Sequence, residues 1–119
     1  MTDLAVITKA KDLATYVFTV TERSPKRFRF TLVSRMQNLC LDVAHHLYRA
    51  NDARLDDSEE ARHRKQYQHE ALSCLRELDY LLTLSREMGC ILPKQQVLAA
   101  GFLCDVGRML SAWMRADAK

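Results

Sequence analysis

At 119 residues the chain is long enough to bury one core without disulfides or a structural metal, so a single domain over 1–119 is expected. A hydrophobic share of 48% with 28% charged residues excludes disordered and fibrous classes, and no unbroken apolar run approaches the ~18 residues of a membrane span. The net charge of +3 is mildly basic, so any anionic partner must be argued from where the cations lie. Met1-Thr2-Asp3-Leu4 has neither a basic nor an apolar leader region, and a cytoplasmic protein without a membrane role is expected.

With only 3 Gly and 2 Pro, long regular elements are expected. The first helix is predicted over about 3–22, with Leu4, Ile7, Ala10, Ala14, Val17, Phe18 and Thr21 at helical spacing. Its end is rich in β-branched residues, Val17, Thr19, Val20 and Thr21, which packing must override.

A sharp turn follows. Ser24 is a candidate cap and Pro25 suits the first helical position. From Arg23 to Arg35 there are five cations (Arg23, Lys26, Arg27, Arg29, Arg35) and no acid. The second helix is predicted over about 26–50, with a seam of Phe28, Leu32, Met36, Leu39, Cys40, Val43 and Leu47. A buried face and a basic patch thus begin together. His45 and His46 are adjacent, so they diverge by about 100° and cannot share one metal ion.

The stretch Asp52–Glu60 carries five acids against Arg54 and reads as a loop, with Asp57 or Ser58 capping a third helix over about 58–88. That helix has a seam of Tyr67, Ala71, Cys74, Leu75, Leu78, Leu81, Leu82 and Ser85. Its polar start, with Arg62, His63, Arg64 and Lys65, reads as solvated, protruding or partner-binding. Gly89 ends it.

Pro93 opens a fourth helix over about 94–115. Ala100, Cys104, Gly107 and Ser111 form a stripe of small residues, and Leu98, Phe102, Val106, Met109 and Trp113 form a large one. A helix apolar nearly all round is buried on more than one side. Either a subunit interface or close packing inside the monomer satisfies this, with Ala100, Cys104, Gly107, Ser111 and Trp113 as the residues concerned. The four patterns define an all-α, antiparallel up-down four-helix bundle.

No phosphate loop, nucleophile elbow or HExxH motif occurs, and no Glu-x-x-His pair suits a di-iron core, so no enzyme activity, cofactor or metal is expected. Cys40, Cys74, Cys90 and Cys104 form no CxxC pair and read as reduced, packed thiols. The basic residues Arg23, Lys26, Arg27, Arg29 and Arg35, with Arg62, Arg64 and Lys65, are candidates for phosphate contacts, to which Phe30 and Tyr48 would add stacking surface. A solvated basic face is the plain alternative.

The run Leu92-Pro93-Lys94-Gln95-Gln96-Val97, followed by Val106-Gly107-Arg108-Met109-Leu110-Ser111-Ala112-Trp113-Met114, resembles the last helix of the accessory variability determinant proteins of diversity-generating retroelements. Pro25-Lys26-Arg27-Phe28-Arg29-Phe30, with Leu32 and Arg35, resembles the wider four-helix-bundle family that includes proteins encoded in ribosomal RNA intervening sequences. The resemblance spans nearly the whole chain. It implies a homo-oligomeric barrel, a pentamer, that binds a reverse transcriptase and RNA or DNA and supports mutagenic copying without being an enzyme. Gly107, Arg108, Ser111 and Trp113 match the family helix, and Lys26, Arg27 and Arg29 match its basic turn. The acidic Asp52–Glu60 loop and the modest net charge depart from it.

Overall fold

The computed structural model describes residues 2–119, with side chains from Ala5 onward. Helix α1 spans Thr2–Thr21. A 3₁₀ turn at Lys26–Phe28 runs into a π turn at Arg29–Val33 and on into α2, Ser34–Asp52. Helices α3, Ser58–Glu87, and α4, Pro93–Asp117, complete an antiparallel bundle with no strand among the described residues. Each helix packs on its sequence neighbours and α4 closes on α1, giving a body of 48 × 23 × 18 Å. One end therefore holds the α1–α2 and α3–α4 connections. The other holds the α2–α3 loop and the C-terminus of α4.

The core is one cluster with contributions from all four helices. In α1 the buried stripe is displaced around the helix from the expected one. Val6 and Leu13 join Ile7, Ala10, Val17 and Thr21, Ala14 is half-buried and Phe18 is at the surface. The Leu4 side chain lies outside the described residues. Helix α1 faces both α2 and α4, and its buried sector points between those two neighbours. In α3 the buried residues are Gln68, Ala71, Leu75, Leu78, Leu82 and Ser85, with Tyr67, Cys74 and Leu81 at the margin.

The start of the second helix is not α-helical. The backbone N–H of Ser34 bonds to the carbonyl of Arg29, five residues back. This wide turn adds one residue to the repeat, so the seam runs Phe28, Val33, Met36 instead of Phe28, Leu32, Met36. Leu32 is only half-buried. Ser24 does not cap the segment. Its hydroxyl donates to the Cys90 carbonyl at 2.7 Å, tying the two connections at this end together. Pro25, with φ −55° and ψ 142°, is the extended residue before the turn rather than its first helical residue.

The other ends form as their residues dictate. Asp57 caps α3, accepting from the N–H groups of Glu59 and Glu60 at 3.0 and 3.1 Å. Gly89, at φ +80°, lets Cys90 and Gly89 N–H reach back to Ser85 and Arg86 carbonyls at 2.8 and 3.2 Å, which closes α3. Pro93 starts α4, and the Gln95 side chain accepts from the Leu92 N–H.

Candidate nucleic-acid interface

The basic turn is held at three points. Thr21 Oγ1 donates to the Val17 carbonyl and accepts from Gln37 Nε2, Ser24 is tied to Cys90, and Phe28 and Val33 are buried. With Phe28 and Val33 fixed in the core, Arg29, Phe30 and Thr31 between them face outward, while Leu32 is half-buried. Phe30 is 86% exposed, the most exposed large apolar side chain described. Arg27 lies over the Phe28 ring at 4.5 Å, which orients it without neutralising it.

Arg23, Lys26 and Arg29 are exposed and form no ion pair among the described residues. Arg35 pairs with Glu77 at 2.6 Å, in the open, where such a pair is weak and exchangeable. Two grooves flank Phe30. One, of about 360 Å³, has Glu22, Lys26, Arg29, Ser34 and Gln37 in its lining; the other, of about 520 Å³, has Thr31, Arg35, Asn38 and Glu77.

The other three candidate cations lie at the opposite end of the bundle, so the eight do not make one surface. Arg64 is not available to a partner. Its Nε and one terminal nitrogen donate to Asp117 at 2.7 and 3.0 Å, its other nitrogen donates to the Ala53 carbonyl, and its plane lies 4.9 Å from the Trp113 ring centre. The start of α3 is thereby clamped to the end of α4 instead of protruding. Arg62 and Lys65 are exposed, but they share this end with the acidic loop. In that loop the Arg54 guanidinium holds the Asp56 carboxyl below its usual range through two 2.9 Å hydrogen bonds. The acids of this loop are thus remote from the basic turn, beside which stand only Glu22 and Glu77 among the acids that line its grooves.

Helix α4 turns Ala99, Val106, Leu110 and Trp113 into the core. Trp113 is therefore a core residue and no part of an outer face. The opposite side presents Val97, Ala100, Gly101, Cys104, Gly107, Arg108 and Ser111. A Cβ placed on Gly101 or Gly107 would meet no atom within 4 Å, so neither glycine serves close helix packing inside this chain. By length and composition alone α4 is long and apolar enough to cross a membrane, and only 22% of its most apolar stretch is buried. Asp105 and Arg108 interrupt its apolar run; these two are paired with each other on the helix surface.

Among the described residues no group of three or more His, Cys, Asp or Glu is placed to hold a metal ion. His46 Nδ1 lies 3.6 Å from Glu70 Oε1, and the His45 and His46 rings meet edge to face. Burial pushes the Cys40 thiol up to about 12 and raises Cys74, while Cys104 is exposed. The sequence shows neither the π turn that presents Phe30 nor the partner of Arg49, which stands beside Tyr48 in the chain but reaches the Tyr67 ring and hydroxyl.

No family model and no curated protein matches the chain. Its fold is that of a solved protein of unknown function from the S23 ribosomal protein family of Bacteroides thetaiotaomicron VPI-5482, with a TM-score of 0.82 at 15% identity over 97% of this chain and 99% of that one. The architecture is therefore shared with that protein along essentially the full length of both chains.

Proposed function

We propose that the protein is a non-enzymatic, homo-oligomeric adaptor that binds RNA or DNA through its basic turn and accompanies a reverse transcriptase in a diversity-generating retroelement. The carrying observation is the turn itself. Arg23, Lys26 and Arg29 are exposed, unpaired by any acid among the described residues, and set on rigidly anchored backbone. Such cations displace counterions from a phosphate backbone and bind with little dependence on base sequence. The α4 run from Pro93 to Trp113 supports the retroelement assignment through its resemblance, and the unfilled small-residue face supports assembly.

Replacing Lys26, Arg27 and Arg29 together by Glu tests the site. Helicity should persist, affinity for a nucleic-acid strand should fall steeply, and the log–log salt slope should shrink by roughly 2, at ~0.7 per lost contact to a single strand. Unchanged binding would remove the turn from consideration. Capture from the native cell tests the partner, with a reverse transcriptase and one structured transcript as the expected companions.

A second reading is favoured by the fold match to the S23 ribosomal protein family: a bundle of the ribosomal intervening-sequence kind, without a polymerase partner. Ribosomal material in the same capture would select it. Absence of nucleic-acid binding even at low salt would leave a structural bundle.

A further inference from the structure

Resting on the nucleic-acid reading of the basic turn, we infer that the turn takes a single strand, with an unpaired base stacked on Phe30 and the strand's phosphates passing along Lys26 and Arg29. Phosphate attraction alone would need no exposed aromatic ring. An 86% exposed phenylalanine places an apolar surface in water at the centre of a cationic surface, and the backbone builds it there deliberately: the π turn buries Phe28 and Val33 and leaves Phe30 standing between them.

The surroundings fit a flat base more closely than an apolar protein surface. Groove walls on both sides of the ring are mixed and hydrogen-bonding, with Ser34 and Gln37 on one side and Asn38 on the other. Cations edge both grooves and outnumber the acids on the first side, with Lys26 and Arg29 against Glu22 there and Arg35 paired with Glu77 on the other. Every base has a π face, so stacking on one ring is tolerant of sequence, whereas the bases of a duplex are already stacked and their faces are closed to Phe30. Arg35 would exchange its exposed Glu77 partner for a phosphate on the far side of the ring.

The test is fluorescence anisotropy with labelled RNA and DNA single strands of about 12 nucleotides and the matching duplexes, at low salt and then over a series of rising salt concentrations. The proteins compared are the full chain, Phe30→Ala, Phe30→Trp and the Lys26→Glu/Arg29→Glu pair. Phe30→Ala should weaken single-strand binding roughly 5- to 150-fold, leave duplex binding within about 2-fold, and keep the salt slope. Phe30→Trp should retain affinity and show indole quenching on binding, against the buried Trp113 background. The charge pair should weaken both forms.

If Phe30→Ala has no effect, or weakens both forms equally, while the charge pair still abolishes binding, stacking is refuted and the basic-turn reading stands. If the charge pair also changes nothing, both fall. Comparing the RNA and DNA strands shows which sugar the site prefers. Phe30 is exposed, so its removal does not threaten the fold, and thermal unfolding of each variant checks this.

Discussion

Arg64 and Asp117, 53 residues apart, meet in a two-point ion pair whose side chains are only 13% and 15% exposed. Gln68 Nε2 donates to the same carboxylate at 2.8 Å, and Trp113 lies beneath the guanidinium. A pair so placed is weak evidence of net stabilisation, yet removing one partner leaves the other charge desolvated. Asp117→Ala should cost about 2–3 kcal/mol in urea unfolding. The double variant Arg64→Leu/Asp117→Ala should cost clearly less than the sum of the two single changes. Additive losses would show that the two residues act independently.

Cysteine chemistry gives a pH-dependent prediction. In the folded state the Cys40 thiol is held neutral by burial, up to about 12, against an ordinary value of 9.0. Above the ordinary value the unfolded chain releases this proton and the folded chain keeps it. Stability from Cys40 is therefore full below pH 9 and is lost as pH rises through that window towards 12. Wild type should lose up to about 1.4 kcal/mol per pH unit relative to Cys40→Ala there, because one proton separates the two states. Parallel curves for the two proteins would contradict it. In the native protein a thiol reagent at mildly alkaline pH should modify exposed Cys104 rapidly and reach Cys40 only on unfolding.

The outer face of α4 carries a prediction about assembly. Helical Gly costs about 1 kcal/mol relative to Ala, and a Cβ at Gly107 has open space around it. Gly107→Ala should therefore leave the isolated chain as stable or raise its stability by up to about 1 kcal/mol. Gly107→Leu should preserve helicity and lower the assembled mass seen by light scattering, if small residues on this face admit a neighbouring chain. An unchanged mass would take Gly107 out of any interface.

The four helices were legible because their apolar periods are long, and Gly89, Pro93 and Asp57 mark ends by conformational preferences that act locally. Burial was less legible where two neighbours share one helix, as in α1. There, spacing defines a stripe but not its orientation between α2 and α4. The candidate site was half legible. Composition shows the cations, but only the pairing of Arg64 with Asp117 removes one, and only the antiparallel topology separates Arg62 and Lys65 from Lys26 and Arg29. No pattern in the sequence announces the π turn, since Phe28-Leu32-Met36 fits an ordinary α-helix.

That turn can be tested by burial. An α-helical register would put Leu32 in the core and Val33 outside, whereas the π turn leaves Val33 8% exposed and Leu32 half-buried. An amide placed at the truly buried position loses the apolar transfer energy and must also be desolvated. Val33→Asn should therefore cost about 3 kcal/mol, and Leu32→Asn about half of that, although leucine is the larger side chain. The reverse order in denaturant unfolding would restore the regular helix. It would also rotate Phe30 away from its present place between the two grooves, so this pair of variants checks the backbone on which base stacking depends.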